Sequence, residues 1–182
     1  MHSMTQTVRK TNGAVAVFLT ASAVVLLLAR PGDAQNTRPA GPQAKATHVL
    51  FMCPHGAAKS VLASAYFRRL AKERGLNVVV DSAGTEPDPA VAPAVAAHLA
   101  KQGYPVPSEK PRLVTPDDFA KADVVISLGC DLTRSPKPAG TLVKWDDVPA
   151  PSEDFAGADD AIRRHVAALV DQLAEQVKAQ RK

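Results

Sequence analysis

The segment Cys53-Pro-His-Gly-Ala-Ala-Lys59-Ser60 holds the residue types best suited to chemistry in this chain of 182 residues. A cysteine attacks only as its thiolate, and thiolates form where positive charge gathers. Lys59 brings such a charge, and the Ser60 hydroxyl can donate a hydrogen bond to the sulfur. Small side chains at Gly56, Ala57 and Ala58 let successive backbone N–H groups curl inward around an anion. Pro54 and His55 complete the curve. His55 stands at its mouth, where it either meets a substrate and moves a proton or simply faces solvent. A thiolate beneath a bound tetrahedral oxyanion is a nucleophile aimed at the central atom. Phosphate, sulfate and arsenate all have that shape.

Such a loop needs a rigid element on each side. Residues 48–53 (HVLFMC) are a short apolar run of the kind that forms a buried parallel strand. Residues 59–74 follow as a helix, with Val61, Leu62, Ala65, Tyr66 and Leu70 at helical spacing and Gly75 as its stop. The helix N-terminus adds partial positive charge where the anion would sit. Further on, strands are predicted at 77–81, 122–128 and 141–145. Helices are predicted at 89–102, from Pro116 behind a Thr115 cap, and at 159–179. Asp159 and Asp160 suit the positive start of the last helix. Alternating strands and helices imply a three-layer α/β fold with a four-stranded parallel sheet and helices on both faces. Ligands of such sheets bind beyond the carboxyl ends of the strands. Cys53 stands at one of those ends.

The chain's beginning has a different character. Arg9 and Lys10 precede an uncharged stretch, residues 14–29, and Gly32-Asp-Ala34 offers small residues for cleavage. This pattern predicts a secretory signal peptide over residues 1–34. The stretch is shorter than the about 20 residues that span a bilayer comfortably, although an uncleaved anchor is the alternative. Residues 35–45 read as a polar linker and 46–180 as the folded domain. The expected location is periplasmic or secreted. Losing Arg9, Lys10, Arg30 and Asp33 takes the net charge from +4 to +2. So small a surplus gives no case for nucleic-acid binding. Cys53 and Cys130 are too few for a disulfide framework, and no Cys or His spacing suggests zinc. No cofactor or metal is expected. Asp146-Asp147 reads as a solvated turn, and His48, His98 and His165 as structural.

The quoted loop resembles the CX5R(S) loop of low-molecular-weight protein tyrosine phosphatases and thioredoxin-coupled arsenate reductases. Three further segments share the resemblance. They are Asp81-Ser-Ala-Gly-Thr85, the strand 122–130 ending in Gly-Cys130, and Trp145-Asp-Asp-Val-Pro-Ala-Pro151. The resemblance implies the flavodoxin-like strand order 2-1-3-4 and a cysteine-dependent phosphatase with Cys53 as nucleophile; Ser82 and Thr85 are expected to brace its loop through hydrogen bonds rather than touch substrate. It implies arsenate reduction as the alternative, with Cys130 as redox partner. The departures from the pattern suggest a third reading, an oxyanion-binding module with impaired turnover. Lys59 replaces an arginine whose planar fork grips two oxygens. Gly56 replaces an asparagine, and Ala150 replaces the aspartate that acts as general acid. Asp146, Asp147 and Asp154 are the expected substitutes, with Asp147 preferred by proximity. The partners implied are a phosphorylated protein, a small phosphomonoester or arsenate.

Overall fold

The computed structural model describes residues 45–106, 108 and 110–180. The expected signal segment and all but the last residue of the linker lie outside this range. Strand β1, Thr47–Cys53, is central: Val49 to Cys53 are all buried. Successive strand side chains point to opposite faces. Val49, Phe51 and Cys53 therefore enter one core, and Leu50 and Met52 another. Burial on both faces is what the uninterrupted apolar run required.

The other elements are α1 (Lys59–Glu73), β2 (Val78–Gly84), α2 (Pro93–Lys101), α3 (Pro116–Lys121), β3 (Val124–Ser127), β4 (Thr141–Lys144) and α4 (Phe155–Gln180). The strands form one parallel sheet in the order β2-β1-β3-β4. The larger core lies against α1, α2 and α4, and the smaller one takes Phe119 of α3. Because β2 and β3 flank β1 on opposite sides, the chain changes direction across the sheet at β1. The crevice at that switch point opens at Cys53. No helix among the described residues is long and apolar enough to cross a membrane.

Three boundaries differ from the sequence-based expectation by three residues or more, each for a local reason. Strand β2 continues through Ser82, Ala83 and Gly84, because Gly84 pairs with Cys53 at the end of the β1 ladder. Helix α2 begins at Pro93 rather than at residue 89. A residue before proline is driven out of the helical region, and Ala92 is extended with ψ 126°. Helix α4 begins four residues early, at Phe155. Asp154 Oδ1 accepts from Gly157 N at 2.8 Å and caps it. Asp159 is thereby freed from the helix start and bonds Tyr66 and Arg163 instead.

Thr115 caps α3 as expected, and Asp118 closes a reciprocal capping box. Partial burial opposes the Asp118 charge. Bonds from Arg112 and Thr115 outweigh it and hold the pKa at about 2. A lowered carboxyl pKa stabilises the fold above the unfolded value and loses that effect as pH falls toward the folded one. Asp118→Asn should therefore cost about 1 kcal/mol near neutral pH. Urea unfolding should show the gap from the parent closing between roughly pH 4 and pH 2.

Candidate active site

Residues 54–58 leave the end of β1 and turn over Gly84 on their way into α1. Their carbonyls face outward. Pro54 O accepts from Glu86 N at 2.8 Å, His55 O from Asp88 N at 3.0 Å and Ala57 O from Ala92 N at 3.0 Å. In a trans peptide the N–H points opposite to the carbonyl it shares a plane with. Anchoring the carbonyls of Pro54 and Ala57 outward therefore turns the N–H groups of His55 and Ala58 inward. Gly56 N is used within the turn, donating to Cys53 O at 3.3 Å. Gly56 has φ +60°, and an added Cβ there would stand 2.9 Å from Gly84 N. Only glycine meets both demands.

The start of α1 is open to an anion. Ala58 provides no side-chain cap, and the first turn carries no acidic residue. Its orphan N–H groups point toward the loop's interior. Cys53 is 3% exposed. Its Sγ lies 3.3 Å from the Oγ of fully buried Ser60. The thiol donates in this pair, and the hydroxyl donates once the sulfur is ionised. A hydrogen bond to a charged group contributes about 1.5–3 kcal/mol. Ser60→Ala should therefore slow a thiolate-dependent reaction roughly tenfold or more. The same variant should slow iodoacetamide labelling of Cys53 at neutral pH. Unchanged labelling would remove Ser60 from the site.

Lys59 reaches across the loop. Its Nζ donates to Val148 O at 3.3 Å and passes close to Gly129, where a Cβ would be 3.2 Å away. The lysine thus joins α1 to the ends of β3 and β4, with two of its three donors left for a ligand. Cys130 lies on this side, buried, with its backbone N donating to Ser127 Oγ. Burial, followed by the neighbouring Cys53, pushes its thiol up to about 11. Both cysteines are free.

The cavity over Cys53 has a volume of about 470 Å³. Pro54, His55, Ala57, Ala58 and Lys59 line it from the loop. Asp88 and residues 92–95 line a second side, and Ala150, Pro151, Ser152 and Phe155 a third. Asp147, the expected general acid, is not among the lining residues. It is exposed, with both carboxylate oxygens 2.9 Å from His165 Nε2. That hydrogen bond lowers its pKa and keeps it ionised, the wrong state for a proton donor. Asp154 is occupied in capping α4. The carboxylate that does line the cavity is Asp88, which sequence reasoning missed. Its signal was local: an acid fixed between Pro87 and Pro89, directly after the 81–85 segment. Thr85 Oγ1 stands 3.5 Å from Pro54 O, a brace at the long limit. Ser82 does not brace the loop: its buried Oγ has no hydrogen-bond partner among the described residues. Trp145 is a core residue, 4% exposed and stacked on His165. Among the described residues no cluster of three or more His, Cys, Asp or Glu could hold a metal ion.

A cysteine inside an amide cradle at a parallel-sheet switch point defines a thiol-centred oxyanion site. The family model for low molecular weight phosphotyrosine protein phosphatase matches residues 48–182, and the chain belongs to that family. Among solved structures, a Corynebacterium glutamicum thioredoxin-dependent arsenate reductase is similar at 26% identity and TM-score 0.61, over 73% of this chain and 64% of that one. A Vibrio cholerae low molecular weight phosphotyrosine phosphatase is 26% identical with TM-score 0.61, over 71% of this chain and 98% of that one. An Entamoeba histolytica protein tyrosine phosphatase shares the fold at 22% identity and TM-score 0.64, over 72% and 99% of the two chains. No curated protein matches.

Proposed function

We propose that this protein is a cysteine-dependent phosphatase that hydrolyses phosphomonoesters through a thiophosphoryl intermediate on Cys53. One observation carries the reading: outward-anchored carbonyls and an uncapped helix start direct N–H groups at the space above one buried sulfur. A phosphoryl group seated there presents phosphorus to Sγ. The S–P bond forms as the ester P–O bond breaks and the leaving oxygen takes a proton. Water then displaces the sulfur and releases phosphate. The amides and Lys59 hold charge on the equatorial oxygens throughout. Lysine supplies a point charge rather than a fork. The backbone therefore carries more of the orientation than in relatives with arginine. The substrate is a phosphorylated protein or a small phosphomonoester. The Vibrio cholerae relative, a phosphotyrosine phosphatase by name, supports that class. The proposal includes export, with residues 1–34 as the signal and 46–180 as the mature domain. The test is p-nitrophenyl phosphate turnover by the reduced protein, with mass spectrometry for the phosphorylated cysteine. Phosphate binding without turnover would indicate a binding module instead.

A second reading, arsenate reduction, is favoured by the β1–β3 pairing, which sets Met52 beside Ser127 and so brings Cys53 and Cys130 to the same end of the sheet. Cys53 would bind arsenic with loss of water. Cys130 would then attack Cys53 Sγ, forming a disulfide as As(V) leaves as As(III). A thiol reductant would restore both thiols. Arsenate-dependent appearance of a Cys53–Cys130 disulfide, with arsenite release, distinguishes this from phosphatase chemistry.

A further inference from the structure

The cavity above Cys53 holds one histidine and, among its described lining residues, one carboxylate: His55 and Asp88. His55 Nδ1 lies 3.4 Å from Asp88 Oδ1. The two residues are also joined through the main chain, where Asp88 N donates to His55 O at 3.0 Å. Pro87 and Pro89 restrict the backbone on both sides of Asp88. The pairing is therefore a property of two interlocked loops rather than of two loose side chains. Both side chains remain half-exposed or more, at 63% and 50%. Both line the cavity and both are open to solvent.

Two other acids near this cavity have different work. Asp147 is bonded to His165 and Asp154 caps α4. Lys59, the remaining charged group at the cavity, is drawn toward Val148 O. Ala150, Pro151, Ser152 and Phe155 on the opposite wall carry no charge.

Resting on the phosphatase reading, we propose that His55 is the general acid–base of this site and that Asp88 is its positioning residue. With Nδ1 facing Asp88 Oδ1 at 3.4 Å, Nε2 is the ring nitrogen left for substrate. As the S–P bond forms and the P–O bond breaks, the Nε2 proton passes to the leaving oxygen and the ring becomes neutral. In the second step Nε2 takes a proton from the attacking water. The oxygen of that water bonds phosphorus, and the S–P electron pair returns to Cys53. Atoms and charge balance without any further reactant. The substrates that gain most are phosphate esters of poor leaving groups, phenols and alcohols, rather than activated esters.

The test compares phenyl phosphate with dinitrophenyl phosphate, whose leaving oxygen departs without a proton. His55→Gln, which keeps the size and polarity of the side chain, should lower kcat/KM on phenyl phosphate roughly 10²-fold. On dinitrophenyl phosphate the loss in kcat/KM should stay below about threefold, because that parameter reports the steps through S–P bond formation and this leaving oxygen needs no proton. Asp88→Asn should reduce kcat on phenyl phosphate about tenfold with KM little changed, the mark of an interaction made in the transition state. His55→Ala should reproduce the His55→Gln split. Equal losses on both esters, or none on either, overturn the role of His55 while the Cys53 chemistry stands. Absence of Cys53-dependent turnover on dinitrophenyl phosphate overturns both.

Discussion

Cys53→Ala is expected to abolish turnover of p-nitrophenyl phosphate, lowering kcat by on the order of 10⁴-fold or more. The sulfur is the group that forms the new bond, and nothing else lining the cavity can replace it. Lys59 is drawn to Val148 O, His55 sits at the mouth, and Ser60 lies buried against the sulfur. A water held by the cradle would still feel the amide field, which sets the residual rate. Cys53→Ser is the sharper variant. It keeps the volume and the polar contact to Ser60, but its oxygen is protonated near neutral pH and attacks poorly. It should bind phosphate as well as the parent does, judged by protection from thermal unfolding, and turn over as little as Cys53→Ala. Activity within tenfold of the parent in either variant would contradict covalent catalysis by Cys53.

Gly84→Ala should lower kcat/KM by about 10²- to 10³-fold on every ester, through a residue that touches no substrate. An added Cβ would stand 2.6 Å from Gly56 N, 2.8 Å from Pro54 O and 2.9 Å from His55 C. All three are backbone atoms of the cradle, and real Cβ contacts essentially never fall below 3.0 Å. Gly84 itself cannot retreat. It pairs with Cys53, donates to Arg112 O and accepts from Val114 N, both at 2.9 Å. The loop must move instead, and the inward N–H groups move with it. Misplacement by about 1 Å costs a well-aligned reaction around 10²-fold. Overpacking should also cost about 1–3 kcal/mol of stability. Gly75→Ala is the control. Gly75 has φ +65° and no neighbour within 4 Å of an added Cβ. It should lose about 1 kcal/mol from backbone strain alone and keep full activity. If Gly84→Ala and Gly75→Ala lose activity alike, the loss follows stability and the cradle argument is wrong.

These two residues show different kinds of legibility. Cys53 was visible because it ends an apolar run and precedes small residues, a lysine and a helix-period pattern. Gly84 sat within Asp81-Ser-Ala-Gly-Thr85, and its role depends on a loop 28–30 residues earlier in the chain crossing over it. Asp147 illustrates the opposite case. Closeness in sequence to the expected acid made it the natural choice, yet the turn after β4 sends it to His165 on α4. Asp88 was passed over because its chain neighbours are prolines and its chemical neighbour, His55, is reached only when two loops interlock.

Local order along the chain determined the β/α alternation, the expectation of a parallel sheet, the placing of Cys53 between strand and helix, and the Thr115 cap. Each rests on interactions within a few residues, or on an alternation of burial that a strand cannot hide. The tertiary structure alone decided which acid faces the cavity, where the Lys59 ammonium is held, why position 84 tolerates no side chain, and how near Cys130 stands to Cys53. Those depend on the approach of segments far apart in sequence, set by strand register and by backbone hydrogen bonds between loops, which residue types and their spacing do not encode on their own.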